Sequence, residues 1–138
     1  MSEIQSRVKR FYDEIWNDKN FQAADELLSE NVLFRGSLGS SLHGRTEFLD
    51  YVSFVTQALS GYHCEIDEIV SEGPTAAVKM TFSGLHVGDF LGHSPTLKTV
   101  EWQGAAFFTE KDGRFADIWV LGDLYALMKM LGEQSQQK

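Results

Sequence analysis

The sequence has little of what marks a disulfide-stabilised, zinc-binding or membrane-embedded protein. A single cysteine, Cys64, excludes an intramolecular disulfide and a zinc site built from cysteines. No apolar run approaches the length that spans a membrane, and the first segment, MSEIQSRVKRF, is charged and amphipathic, unlike a secretion signal. We therefore expect a cytoplasmic protein that does not bind membranes, with Cys64 serving as a small buried side chain.

Basic residues are also few, and they are scattered along the chain. Twelve lysines and arginines stand against twenty aspartates and glutamates, which gives a formal net charge of −8. Nucleic acids need a positive patch on their protein partners, so we expect none as a partner here. Apolar residues, in contrast, make up 43% of the 138 residues, with 10 phenylalanines. This content predicts one globular domain over residues 1–132, followed by a polar tail at 133–138.

Helical periodicity dominates the first part of the chain. Apolar residues recur at spacings of three and four over about residues 3 to 17, which predicts an amphipathic helix. A shorter helix is predicted at 23–28, then a brief strand in NVLFRG and a Gly/Ser-rich loop, SLGSSLHG. A third helix is predicted from Arg45 to the SG pair, where Gly61 suits the left-handed position after a helix.

After Gly61 the apolar period changes to two. Strands are predicted in YHCEIDEIV, TAAVKMTFSGLH, TVEWQGAAFFTE and RFADIWVLG, with EGP and KDG as turns, and a last helix runs over Leu124 to Leu131. Several strands at hairpin spacing after a run of helices predict an α+β domain, in which helices pack on one face of an antiparallel sheet.

Asp123 lies where an apolar strand meets an apolar helix, in the segment DIWVLGDLYALMKMLG. Because it follows Gly122 and precedes a helix, it has the position of an N-cap residue. A carboxyl group kept in apolar surroundings can instead have a raised pKa and serve as an acid or a base. The sequence leaves both interpretations open, and the two roles can coexist.

Four segments, in this order and spacing, carry a resemblance to a known family. They are HGRTEF, SGLHVGDFLGHSPT with Gly84, His86, Gly88, Phe90 and Gly92, KDGRFADIW, and WVLGDLYALMKMLG. With the order of helices and strands, they make the chain similar to the nuclear transport factor 2-like superfamily and, within it, to the SnoaL-like polyketide cyclases. The resemblance implies a curved antiparallel β-sheet wrapped around the N-terminal helices, forming a cone with one internal pocket.

The resemblance also implies a chemistry. Members of the family close a ring by aldol condensation without a cofactor, and their catalytic aspartate corresponds to Asp123. The implied ligand is a small apolar or cyclic carbonyl molecule, with Trp119 beside the carboxyl group and Phe90 among the contacts. His86 either orients a substrate carbonyl or hydrogen-bonds backbone in a tight turn. No cofactor and no metal site are expected.

Two features depart from the family pattern. The strand VEWQGAAFFTE lacks the histidine that assists the aspartate in characterised cyclases. Successive residues of a strand face opposite sides, so either Glu101 or Trp102 faces the pocket, and the sequence leaves open which of the two does. Tyr12, in the apolar stripe of the first helix, corresponds to an oxyanion-hole tyrosine of the ketosteroid isomerases, which share the fold. Gly36 takes the position of their base, so Tyr12 is expected to remain only as a hydrogen-bond donor.

Alternatives to catalysis remain open. The pocket can hold a small apolar ligand without turning it over, or the outer face of the sheet can form a homodimer, as is common in the superfamily. Four apolar residues of one strand would suit such an interface if their side chains face outward: Ala76, Val78, Met80 and Phe82.

Overall fold

Helices precede and flank a six-stranded sheet in residues 2–132, the part of the chain that this computed structural model describes. In chain order the elements are α1 (Glu3–Arg10), a π-helical segment (Phe11–Asn17), α2 (Ala23–Leu27), β1 (Leu28–Arg35), β2 (Ser41–His43), α3 (Arg45–Ala58), β3 (Leu59–Glu72), β4 (Thr75–His86), β5 (Thr99–Lys111), β6 (Arg114–Gly122) and α4 (Leu124–Gly132). The predicted α+β class is confirmed, while the tail predicted at 133–138 lies outside the described residues. None of the helices in residues 2–132 is long and apolar enough to cross a membrane.

The first predicted helix divides into α1 and the π-helical segment. The Gln5 backbone N–H donates to the Ser2 hydroxyl, which caps α1. The wider π-helical turn buries two consecutive aromatic side chains, Phe11 and Tyr12. The Asn17 side chain then bonds the backbone of Cys64, donating to its C=O at 3.1 Å and accepting from its N–H at 2.8 Å. The segment is therefore held against β3.

The sheet has the strand order β2-β1-β6-β5-β4-β3. All neighbouring strands are antiparallel except β1 and β6, which run parallel with Leu33 opposite Asp117 and Arg35 opposite Trp119. The predicted antiparallel sheet is therefore observed except at this one pair, where the strands run parallel. These strands are separated in the chain by α3 and four further strands, so no tight turn forces them to run antiparallel. In addition, β2 lies within the segment that was predicted to be a loop.

The structure shows which residues of β4 and β5 face the core. Val100 and Trp102 are buried on the inner face, whereas Glu101 and Gln103 are exposed on the outer face. On β4, four residues considered for a dimer interface are all buried on the inner face: Ala76, Val78, Met80 and Phe82. The outward assignment of these four was wrong, because their apolar alternation serves the core.

The third helix ends earlier than predicted, at Ala58. Gly61 does have a left-handed φ of 65°, but it lies inside β3, where the register with β4 shifts between Ser60 and His63. The glycine therefore marks an irregularity within a strand rather than the end of a helix.

The core is centred on an aromatic cluster around Phe11. Its ring lies 4.9 Å from that of Tyr12, 5.5 Å from Phe48, 5.2 Å from Phe108 and 6.5 Å from Phe115, measured between centroids. The pair with Phe48 is stacked and the other three are edge-to-face, and aromatic pairs of both kinds add to the free energy of apolar burial. The cluster ties the π-helical segment to α3 and to the inner face of the sheet.

Candidate functional site

An interior cavity lies between the π-helical segment, α3 and the inner face of the sheet. Its volume is about 20 Å³, which is small beside the ~150 Å³ of an engineered apolar cavity that binds benzene. Its lining is mostly aromatic, with a few polar atoms: Phe11, Tyr12, Trp16, Phe34, Ser37, Leu38, Tyr51, Val55, Tyr62, Phe82, Trp102 and Val120. The cavity is thus small and apolar, with convergent hydrogen-bonding groups.

Two hydrogen-bond donors in this lining lack a protein partner. Tyr12 Oη and Trp102 Nε1 are both buried, and neither has a hydrogen bond to any residue in 2–132. A buried donor without a partner costs about 1–3 kcal/mol, and native proteins rarely leave such a group without a role. Each of the two donors therefore marks a place in the lining where an acceptor atom of a ligand would be bound.

The cavity tyrosines are neutral donors at physiological pH. Burial raises the pKa of Tyr12 and of Tyr62 well above the usual value for a phenol. Burial also raises the pKa of Tyr51, to about 12, although hydrogen bonds with the Leu38 backbone amide and the Ser37 hydroxyl oppose the shift. All three hydroxyls therefore keep their protons while the protein works near neutral pH.

No carboxylate, imidazole, amine or guanidinium lines the cavity within the described residues. The site can donate hydrogen bonds to a carbonyl oxygen, but its own lining offers no group that takes up a proton near neutral pH. Nor does this part of the chain bring together three His, Cys, Asp or Glu side chains that could hold a metal ion.

Asp123 lies at the surface, outside this cavity. Its Oδ1 accepts a hydrogen bond from the Ala126 backbone N–H at 3.1 Å, which is the N-cap interaction with α4. The helix-cap interpretation is therefore confirmed. The acid/base interpretation requires the Asp123 carboxylate to lie inside the pocket, whereas the structure places it at the surface. Alternation along β6 places Asp123 on the face of Trp119 and Leu121, as expected, but that face is the outer one.

The cap has a measurable consequence. We expect Asp123→Asn to leave the free energy of unfolding nearly unchanged, and Asp123→Ala to lower it by about 1 kcal/mol, because asparagine caps a helix about as well as aspartate. Urea denaturation at neutral pH would measure both variants. Clear stabilisation by asparagine would contradict the cap assignment, since it would reveal a carboxylate under strain.

Two of the predicted substrate contacts lie on the outer face of the sheet. Trp119 is 42% exposed; its ring lies 6.2 Å from that of Phe107 and 5.6 Å from the Arg35 guanidinium carbon. Glu101 is also exposed on this face. Neither residue can touch a ligand inside the cavity.

His86 and Phe90 are buried, but neither lines the cavity. His86 Nδ1 accepts a hydrogen bond from the Thr96 backbone N–H at 3.1 Å and lies 3.0 Å from the Thr96 hydroxyl. The Phe90 ring is 6.2 Å from the imidazole. The structure thus places His86 in the turn-stabilising role that was the alternative to catalysis, with its Nε2 lacking a partner among residues 2–132.

Of the predicted contacts, the structure brings Tyr12 and Trp102 together in the cavity and adds three polar residues that the sequence analysis missed. These are Ser37, Tyr51 and Tyr62. Tyr51 follows Phe48 by three residues and precedes Val55 by four, so it continues the apolar stripe of α3. Tyr62 shares its parity on β3 with buried Cys64. Both signals were present in the sequence, whereas nothing in it marked Ser37.

The fold is that of the nuclear transport factor 2-like class, with N-terminal helices against a curved, unclosed sheet. A sequence profile of the SnoaL-like polyketide cyclases matches residues 6–131, and the chain therefore belongs to that family. No curated protein matches the chain by sequence.

Solved structures share the fold at low sequence identity. A SnoaL-like protein from Jannaschia sp. CCS1 superposes with a TM-score of 0.85 and 20% identity, covering 94% of this chain and 91% of that one. TsrD from Streptomyces laurentii gives 0.84 and 24%, covering 94% and 95%. A SnoaL-like polyketide cyclase from Agrobacterium tumefaciens gives 0.81 and 17%, covering 96% and 100%.

Proposed function

We propose that this protein binds a compact carbonyl compound in the interior cavity and acts on it as a cofactor-independent cyclase or isomerase. The observation that carries the proposal is the pair of buried donors without a protein partner, Tyr12 Oη and Trp102 Nε1. A neutral carbonyl oxygen supplies the acceptor that these groups lack, and the aromatic lining suits an apolar ring. Among residues 2–132, no cationic side chain lines the cavity to hold an anionic ligand.

The chemistry follows from the donors. When a C–H bond beside a carbonyl group loses its proton, negative charge develops on the carbonyl oxygen. Fixed donors in a water-poor site stabilise that charge, and removing one donor of this kind from an enzyme lowers kcat by about 10²–10³-fold. In this proposal Tyr12 and Trp102 form the oxyanion site, and the proton leaves to water or to a basic atom of the substrate.

The second candidate function is ligand binding without turnover. It is favoured by the absence of a titratable base among the cavity residues in 2–132 and by the surface position of Asp123. Tyr12 and Trp102 would then fix the orientation of a carbonyl ligand and nothing more. The acid/base role predicted for Asp123 would require its carboxylate to reach the cavity from a helix cap.

Cyclohexanone, with methylenecyclohexane as the matched ring that lacks an oxygen acceptor, tests the binding step. We expect cyclohexanone to shift the Trp102 indole N–H resonance saturably, and Tyr12→Phe to weaken its binding about tenfold, through the loss of one hydrogen bond to the oxygen. Methylenecyclohexane should bind both proteins alike. Equal binding of the two rings by wild-type protein would contradict the proposal.

Hydrogen exchange beside the carbonyl then separates the two candidate functions. Faster exchange of the α-protons of cyclohexanone in deuterated buffer, lost in Tyr12→Phe, would favour an enzyme. Saturable binding with exchange at the uncatalysed rate would favour a binding protein.

We also propose that the outer face of the sheet forms a homodimer. In place of the four residues considered from sequence, the exposed apolar side chains there are Val70, Phe107, Trp119 and Leu121. Monomeric proteins rarely expose several large apolar groups on one face. Because the chain carries a net charge of −8, two copies would approach with least repulsion through this patch, where Arg35 lies beside Trp119 and Lys79 lies near Phe107.

The dimer is tested by Phe107→Asp. We expect analytical ultracentrifugation to give a dimer mass for the wild type and a monomer mass for this variant, because burying a carboxylate in an apolar interface carries a large desolvation cost. The matched control is Phe54→Asp on α3, a phenylalanine with the same 49–51% exposure away from this face, which should remain dimeric. A monomeric wild type would overturn the proposal.

A further inference from the structure

One wall of the cavity is a turn rather than a helix or a strand. Of the lining residues, ten lie in regular elements, and only Ser37 and Leu38 do not. They belong to the turn Gly36–Ser40 between β1 and β2, closed by hydrogen bonds from the Gly36 N–H to the Ser40 C=O and from the Gly39 N–H to the Gly36 C=O. Gly39 has a left-handed φ of 94°, which glycine adopts without strain.

Tyr51 holds this turn from the side of α3. Its ring lines the cavity next to Ser37 and Leu38, and the Leu38 backbone amide and the Ser37 hydroxyl both act to lower the pKa of its hydroxyl. Gly36 lies so close that a Cβ atom added there would come within 2.7 Å of Tyr51 Oη. Three consecutive residues of the turn therefore meet a single phenol, whose own position is fixed by ring contacts with Trp16 and Phe34.

The turn also covers the indole nitrogen of Trp102. A Cβ atom added at Gly122 would lie 2.8 Å from Ser37 Cβ and 3.3 Å from Trp102 Nε1, so the three residues meet at one point. The buried donor that has no protein partner is therefore next to the one segment of the wall that lacks a ladder of backbone hydrogen bonds.

The size of the cavity requires this wall to move. A volume of about 20 Å³ is far below the ~150 Å³ of a cavity that holds benzene, so a ring compound can enter only if part of the lining shifts. Moving a helix or a paired strand breaks many hydrogen bonds, whereas moving the turn breaks the contacts with Tyr51 and leaves the sheet intact.

We propose that the turn Gly36–Ser40 is the gate of the cavity and that Tyr51 is its latch. This inference rests on the proposed function in taking the cavity as the ligand site. Opening releases Ser37 and Leu38 from the phenol and exposes Trp102 Nε1 to solvent. Tyr51 is thus a positioning residue: it sets how often the site opens, while Tyr12 and Trp102 provide the contacts to the ligand.

Hydrogen–deuterium exchange of the Trp102 indole N–H tests the gate without any ligand. Its rate follows the population of the open state, because Trp102 Nε1 is buried in the closed state. We expect Tyr51→Phe to speed this exchange about fivefold, the factor that the loss of one neutral hydrogen bond gives. Low urea should leave the rate unchanged in both proteins, since a local opening exposes little surface. Ser37→Ala should act in the same direction, and it tests the latch should Tyr51→Phe fail to fold.

Two controls separate a latch from general destabilisation. Tyr125→Phe removes the hydroxyl of a tyrosine that is 77% exposed on α4, and the Trp102 rate should not change. Ser2→Ala removes the cap of α1, and it should speed the hydrogen exchange of the β5 backbone amides without speeding that of the Trp102 indole N–H. An unchanged Trp102 rate in Tyr51→Phe and Ser37→Ala, or a wild-type rate that rises with urea together with the β5 amides, would overturn the gate.

The gate and the proposed function can fail separately. Faster Trp102 exchange in Tyr51→Phe, with no binding of cyclohexanone, would leave the gate in place and reject the carbonyl site. Saturable cyclohexanone binding, with Trp102 exchange unaffected by either variant, would reject the gate alone.

Discussion

Replacement of Phe11 by alanine is expected to lower the free energy of unfolding by about 3–5 kcal/mol, the range for truncating a fully buried phenylalanine. The ring is completely buried and contacts four other aromatic rings. Because these rings belong to the π-helical segment, α3, β5 and β6, no single element can shift to fill the space. The loss should therefore lie in the upper part of that range.

Chemical denaturation monitored by circular dichroism would measure this loss. Phe54→Ala is the matched control, because Phe54 is 49% exposed on α3 and its removal leaves no cavity in the core. A loss below about 1 kcal/mol for Phe11→Ala would mean that the cluster collapses around the missing ring. It would also mean that the π-helical segment is less firmly held than its contacts indicate.

Two Tyr→Phe substitutions in the same cavity are expected to change stability in opposite directions. Tyr12→Phe should raise the free energy of unfolding by about 1–3 kcal/mol, because it removes a buried hydroxyl that has no partner in residues 2–132. Tyr51→Phe should lower it by about 1 kcal/mol, because it removes a hydroxyl that is bonded to the turn. Each change deletes one oxygen atom from a mostly buried ring, so the comparison isolates the hydrogen bonds.

Urea denaturation of the wild type and both variants, at neutral pH and equal protein concentration, would measure the two changes in stability. Stabilisation by Tyr12→Phe together with weaker cyclohexanone binding would identify Tyr12 as a residue kept for function at the expense of stability. Destabilisation by Tyr12→Phe would show that its hydroxyl is already satisfied, for example by a bound water, and would weaken the case for the oxyanion site.

Much of the fold could be predicted from the sequence, because the apolar periodicity and the turn residues agree with the observed elements. The stripe that includes Phe48 and Val55 gave α3, and the turn KDG gave the hairpin between β5 and β6. The parallel pairing of β1 with β6 could not be predicted, since pairing between strands distant in sequence leaves no local signal. The π-helical turn was missed for a similar reason, because burial of both Phe11 and Tyr12 is set by the sheet beneath them.

The site was predicted only in part, and the misplacements share one physical cause. Alternation along β5 and β6 shows which residues share a face, but not which of the two faces is covered. Asp123 and Trp119 do share a face, and it turned out to be the outer one. Tyr12 and Trp102 were assigned to the site and do line the cavity, because both are large aromatics with a polar atom, a type that is buried most often where a hydrogen bond is needed.

The position of β6 in the strand order bears on how the protein is made. Until residues 114–122 leave the ribosome, the β1–β2 hairpin and the β3–β5 meander are two separate pieces, each with an edge that only β6 can pair. Unpaired edges of this kind invite association with other chains. A nascent chain that has emerged from the ribosome only as far as Lys111 would therefore hold an unjoined sheet, and β5, with Phe107 and Phe108, would be the segment that most needs protection by a chaperone.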